Sequence, residues 1–102
     1  MDMHEVLGRM IAAGRTLKRL PGPGADPAQA GPSPVEIDHM DEVVGEWMFL
    51  LRTPDERRLF AWTVSGLSLE RAAAKDPLGR SPQAIRRAVG RMAADLAARL
   101  GR

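Results

Sequence analysis

One stretch constrains the fold more than any other part of the chain: residues 67–100, LSLERAAAKDPLGRSPQAIRRAVGRMAADLAARL. Its second half carries apolar residues every three or four positions, which predicts one buried stripe on a long helix. The stripe consists of Ile85, Val89, Met92, Leu96 and Leu100. Ser81 suits the N-cap of this helix and Pro82 its first position. A shorter helix capped by Ser68 precedes it, with a turn at Gly79 between them, so the layout predicts a helix-turn-helix.

The other side of the long helix is rich in arginine. Gln83, Arg87 and Arg91 are four residues apart and share one face. A solvated surface face is the commoner reason for such a pattern. Because the planar guanidinium suits phosphates and guanine edges, the helix-turn-helix layout favours DNA binding instead. The candidate DNA-binding residues are Arg80, Ser81, Gln83, Arg86, Arg87 and Arg91. We expect base contacts from Gln83, Arg86 and Arg87, and phosphate contacts from the other three.

Composition limits the class of protein. The 102 residues fit one small domain, and the absence of cysteine excludes disulfides and thiolate metal sites. No apolar run approaches the roughly 20 residues of a membrane span, and the N-terminus lacks a signal-peptide layout. Alanine, leucine and methionine are abundant and tyrosine is absent, which favours helices. We therefore expect a soluble, cytoplasmic, all-α protein without a cofactor or a membrane partner.

Charge is distributed unevenly along the chain. Residues 1–51 hold four basic and eight acidic residues, whereas residues 52–102 hold eleven basic and five acidic ones. The first half is therefore acidic and the second basic. This asymmetry predicts that only the second half faces a polyanion, and that the first faces a protein partner or a second copy in a homodimer.

Three segments are expected along the chain. Residues 1–20 contain an amphipathic helix that ends at Pro21, residues 21–33 form a Pro/Gly-rich linker, and residues 34–102 form the helical domain. The apolar stripe of the first helix consists of Val6, Met10, Ala13, Leu17 and Leu20, widened by Leu7 and Ile11. The sequence leaves open whether this helix folds back on the domain or reaches a second subunit.

Two further helices are expected before the helix-turn-helix, giving four to five in all. One spans 34–51, with Ser33 and Glu36 forming a capping box, and the other spans 54–65 and stops at Gly66. The apolar face of the first consists of Ile37, Met40, Val43, Val44, Trp47, Met48, Leu50 and Leu51. The turn near Asp76-Pro77, between the two helices of the motif, is longer than usual by about two residues. The angle of the long helix that follows, called the arginine helix below, is therefore left open.

At residues 66–73, GLSLERAA, and 78–87, LGRSPQAIRR, the chain resembles the C-terminal helix-turn-helix of sigma factors and response regulators. The chain as a whole is similar to a family of short bacterial and prophage helix-turn-helix proteins. The similarity combines this motif with RTLKRLP at 15–21, PVEIDHM at 34–40 and Glu46-Trp47. The resemblance implies a helix-turn-helix fold over most of the chain. This chain departs from the family in three features: the Pro/Gly linker, Leu69, where the family has tryptophan, and the longer turn.

Motifs of catalysis are not evident. The glycines near Pro21 lack the lysine of a phosphate-binding loop, and no serine elbow is present. His39 and its acidic neighbours are too close in sequence to point at one metal ion. We therefore expect no enzyme and no metal site. Three functions remain: a DNA-binding transcriptional regulator, favoured here; a protein-interaction module for RNA polymerase or a repressor; and a phage DNA-packaging subunit.

Overall fold

The computed structural model describes residues 1–20 and 31–101, and within them every secondary-structure element is helical. The five helices are α1 (Met3–Arg19), α2 (Pro34–Asp41), α3 (Pro54–Ser65), α4 (Leu69–Lys75) and α5 (Pro82–Leu100). The prediction of an all-α protein with four to five helices is confirmed. Residues 21–30, most of the predicted linker, lie outside the described residues.

A capping side chain marks the start of each of the five α-helices. The caps are Asp2, Ser33, Thr53, Ser68 and Ser81, each accepting a backbone N–H three residues later at 2.9 to 3.2 Å. Proline opens α2, α3 and α5, where its missing N–H is not needed. At the other end of α3, Gly66 adopts a left-handed conformation with φ of 74°. These local signals place the helix boundaries close to their predicted positions.

Helix α1 folds back on the rest of the same chain. It packs against α2, α3 and α5, and its residues Val6, Met10 and Ala13 are buried in the common core. A Cβ atom built on Gly14 would lie 1.7 Å from the carbonyl oxygen of Val64. Only glycine therefore lets α1 and α3 approach this closely. Helix α1 is therefore part of the same hydrophobic core as the other helices.

The predicted stripe of α1 is wrong in its last turn. Leu17 and Leu20 remain 40% and 38% exposed, whereas Thr16 is buried and donates its hydroxyl to the carbonyl of Ala12 at 3.0 Å. The reason is the position of α2, which flanks the other side of this turn. An ion pair of 2.6 Å between Arg19 and Glu36 marks that contact. Burial at this end follows the neighbouring helix and not the helical period alone.

The predicted helix over 34–51 changes its winding after Asp41. A π-helical turn spans Glu42–Glu46 and a 3₁₀ turn spans Trp47–Leu50. The π-helical turn contains Val43, Val44 and Gly45, residues of low helix propensity. Val43, Trp47 and Leu51 are buried as expected, but Met48 and Phe49 face outward. Met48, predicted to lie on the apolar face of this helix, is therefore not part of the core.

Helix α5 crosses the core with one apolar side. Ile85, Met92 and Leu96 of the predicted stripe are almost fully buried, and Ala93 joins them. The remaining two members, Val89 and Leu100, are half-buried against the core. Both α3 and α4 pack against α5. Because α3 and α4 cover one side of α5, the opposite side faces solvent.

Candidate nucleic-acid interface

The solvent side of α5 carries the arginines singled out in the sequence. Gln83, Arg86, Arg87 and Arg91 are all exposed. With 3.6 residues per turn, Gln83, Arg87 and Arg91 lie along one face, and Arg86 lies about 100° around the helix from Arg87, towards α1. The face from Gln83 to Arg91 is about 12 Å long at 1.5 Å per residue. Four of the six candidate residues therefore form one continuous surface.

These arginines are free of acidic partners in the part of the chain that the structure describes. Within residues 1–20 and 31–101, no carboxylate comes within ion-pair distance of Arg86, Arg87 or Arg91. Asp95 is four residues after Arg91 but makes no ion pair with it. Elsewhere among the described residues, five arginines pair with carboxylates: Arg9, Arg19, Arg58, Arg80 and Arg99. The positive charge on the outer face of α5 thus remains available to an external anion.

Ser81 begins the surface as the N-cap of α5. Its hydroxyl oxygen accepts the backbone N–H of Ala84 at 3.2 Å, while the residue stays exposed. A serine hydroxyl that accepts one hydrogen bond can still donate its own proton. The helix dipole also favours an anion at this end. Ser81 can therefore fulfil its capping role and donate to a phosphate at the same time.

Arg80, the sixth candidate, is occupied within the protein. Its Nε donates to Oδ2 of Asp76 at 2.8 Å, and its two Nη atoms donate to Asp55 at 2.7 and 3.0 Å. The side chain is only 18% exposed. These hydrogen bonds raise the pKa of Arg80, so the group stays charged. Because its guanidinium donors are already bonded to two carboxylates, Arg80 does not belong to the candidate interface.

Asp76 organises the long turn between α4 and α5. Its carboxylate accepts the backbone N–H groups of Leu78 at 3.3 Å and Arg80 at 2.8 Å. The backbone N–H of Gly79, which has a φ of 68°, donates to the carbonyl of Asp76 at 3.1 Å. Hydrogen bonds from Arg80 hold the pKa of Asp76 at about 2, against the opposing effect of burial. The extra residues of the turn thus build an ordered network that fixes the start of α5.

The other end of α5 is tied to the same part of α3. Arg99 donates to Oε2 of Glu56 at 2.7 Å and to the carbonyl oxygen of Leu50 at 2.8 Å. Burial raises the pKa of Glu56, but the hydrogen bond and charge of Arg99, together with backbone hydrogen bonds from Arg52 and Thr53, lower it below its ordinary value. Asp55 and Glu56, in the first turn of α3, therefore hold both ends of the arginine helix.

Two basic residues on α4 were not among the sequence candidates. Arg71 and Lys75 are exposed, four residues apart, and have no ion-pair partner in the described part of the chain. Helix α4 packs directly against α5. The signal that could have identified them is their spacing, which puts both on one face of a short helix beside the buried Ala72. They can extend the positive surface beyond α5.

Comparisons of the chain with protein-family models, with curated proteins and with solved structures returned no match. The resemblance to helix-turn-helix families stays a prediction.

Neither a metal-ligand cluster nor a membrane-spanning helix is found in the part of the chain that the structure describes. Nowhere in 1–20 and 31–101 do three or more histidine, aspartate or glutamate side chains gather as metal ligands would. Of the helices described, none combines the length and apolar character that crossing a bilayer demands.

Proposed function

We propose that this protein binds double-stranded DNA through the first half of α5 and acts in transcriptional control. The single observation that carries the proposal is the outer face of α5, where Arg86, Arg87 and Arg91 are exposed without an acidic partner in the described residues. Arginines in surface ion pairs are already neutralised. Unpaired ones attract phosphate and release the counterions of the duplex on binding.

Shape supports the same function. The major groove of B-DNA is about 12 Å wide and admits one α-helix. Gln83 and Arg87 lie near the start of α5, the part of a recognition helix that reaches base edges. Glutamine pairs with adenine and arginine with guanine. In this arrangement Ser81 and Arg91 contact phosphates on either side of them.

The fixed position of α5 supports it further. A DNA-reading helix needs its side chains on a rigid element, because a small displacement weakens directional hydrogen bonds. The contacts of Arg80 and Arg99 with α3 supply that rigidity at both ends. Arg80 is therefore a positioning residue in this proposal.

A single unit of this size offers few contacts for tight, specific binding. We propose that the protein acts as a homodimer, so that two arginine helices meet successive major grooves about one helical turn apart.

The test is fluorescence anisotropy of a labelled mixed-sequence duplex titrated with the protein at low salt. Arg87→Ala/Arg91→Ala should weaken binding by about tenfold or more, since two phosphate or base contacts are lost. The matched control is Arg15→Ala/Arg57→Ala, which removes the same charge from exposed sites on α1 and α3. Equal losses in the two variants, each verified as folded by circular dichroism, would contradict the assignment to α5.

One observation favours the alternative of a protein-interaction module. Phe49 is 87% exposed on the 3₁₀ turn after α2, and Met48 beside it is 42% exposed. Exposed aromatic residues are typical centres of protein interfaces. Both lie in the acidic half of the chain, the half expected to meet a protein or a second copy.

Whether this surface forms the proposed homodimer is tested by sedimentation of the wild type and Phe49→Ser over a range of concentrations. A homodimer formed through this surface should dissociate in the variant, while DNA binding by each monomer remains. If the wild type is monomeric at all concentrations, the Phe49 surface is not a homodimer contact.

A further inference from the structure

A groove of about 670 Å³ lies between α1, the segment that joins α3 to α4, and α5. Its size falls within the range of small-molecule sites, about 300 to 1,000 Å³. Gly90 of α5 leaves part of the groove open, because a Cβ atom built there would meet only Met3 Sδ at 3.8 Å. The groove follows the side of α5 that adjoins the proposed DNA surface.

The walls of the groove are mainly aliphatic. Leu7 and Ile11 contribute from α1, Leu67 from the segment before α4, Leu69 from α4, and Val89 from α5. Ile11 is 44% exposed although it is a large apolar residue. Covering such a side chain with an apolar ligand removes its surface from water, which favours binding.

The charge of the groove has one sign. Arg86 and Arg87 line it, and neither has an ion-pair partner in the described residues. His4 also lines it, whereas its lining residues include no aspartate or glutamate. An apolar cleft with two guanidinium groups at one wall complements a molecule with an apolar body and an anionic head.

We propose that this groove binds a small amphipathic anion, with its apolar body against Leu7 and Ile11 and its anionic group on Arg86 and Arg87. The same two arginines belong to the proposed DNA interface. Occupancy of the groove would therefore compete with DNA, and this regulatory part rests on the proposed function. The binding part stands on the groove alone.

The first experiment uses 1-anilinonaphthalene-8-sulfonate, which has an aromatic body and a sulfonate, and follows its fluorescence on titration with the full-length protein. Ile11→Glu puts a carboxylate into the groove opposite the arginines. The matched control is Leu17→Glu, on the same helix, at a residue that is 40% exposed and does not line the groove. Both sites are exposed, so neither change buries a charge.

We expect saturable binding to the wild type with one site per chain, an affinity lower by about tenfold or more in Ile11→Glu, and little change in Leu17→Glu. Absence of saturable binding, or equal loss in the two variants, would overturn the proposal. Decanoate should displace the probe at least about tenfold better than decyltrimethylammonium, which has the same chain and the opposite charge. Equal displacement would refute the role of the arginines.

The regulatory part is tested by repeating the DNA titration with decanoate present. Decanoate should weaken duplex binding by the wild type and by Leu17→Glu, and should affect Ile11→Glu much less. If the protein binds no DNA but still binds the probe in an Ile11-dependent way, the proposed function fails and the ligand site stands. If DNA binding persists and is insensitive to decanoate, competition is refuted.

Discussion

Arg80 and Asp55 form a two-pronged ion pair across 25 residues of sequence, with Nη2–Oδ1 and Nη1–Oδ2 distances of 2.7 and 3.0 Å. The same guanidinium holds Asp76 at 2.8 Å. The pair joins the first turn of α3 to the residue directly before the N-cap of α5. It thereby sets the direction in which the arginine helix leaves the turn.

Removal of this ion pair should destabilise the fold. In Arg80→Ala, two carboxylates lose their shared partner, and we expect the Tm to fall by about 5–10 °C. Arg80→Lys keeps the charge but not the planar fork, so its loss should be intermediate. Thermal unfolding followed by circular dichroism measures both. Arg58→Ala is the control, because Arg58 makes one hydrogen bond to the same Asp55, at 3.1 Å. A loss in Arg58→Ala as large as in Arg80→Ala would contradict a special role for Arg80.

Asp76 should make stability depend on pH in the acid range. Hydrogen bonds from Arg80 lower its pKa from 3.8 to about 2 in the folded protein. Between these two values the unfolded chain binds more protons, so the free energy of unfolding falls as the pH falls from about 4 to about 2. The measurement is urea unfolding of the wild type and Asp76→Asn from neutral pH downwards.

The stability difference between the two proteins should be constant above about pH 5 and shrink below about pH 4. The pKa values of Glu36 and Glu56 are also lowered, but both carboxylates remain in the variant and affect the two proteins alike. A stability difference that does not change with pH would contradict the ion pair between Asp76 and Arg80.

Two glycines of α1 should respond in opposite ways to the same substitution. Gly14→Ala puts a methyl group where the carbonyl of Val64 stands, and should cost about 1–3 kcal/mol or more. A Cβ atom built on the exposed Gly8 would meet no neighbouring atom of the described residues within 4 Å. Gly8→Ala should instead add about 0.5–1 kcal/mol of stability through helix propensity. Urea unfolding compares the two, and equal effects would show that α1 does not pack on α3 as described.

Local signals in the sequence were sufficient to predict the helices. Ser33, Thr53 and Ser81 cap helices that begin with proline, and Gly66 ends α3 as predicted. These features depend on hydrogen bonds within a few residues. The same is true of the outward face of α5, whose spacing alone placed Gln83, Arg87 and Arg91 together.

The features that were not predicted depend on contacts between distant parts of the chain. Leu17 is exposed because of where α2 lies, and Arg80 is unavailable because Asp55 of α3 reaches it. Met48, which a regular helical period places on the apolar face, is exposed where the winding changes after Asp41. Helical periodicity describes one helix, whereas burial and ion pairing are set by its neighbours.

The most direct test of DNA binding by α5 is the salt dependence of duplex affinity for the wild type and Arg87→Ala/Arg91→Ala. Each phosphate contact contributes about 0.9 to the slope of log affinity against log salt. We predict a steep slope for the wild type and one shallower by about 1–2 for the double variant. A folded wild-type protein that binds no duplex at low salt, or an unchanged slope in the variant, would contradict the account.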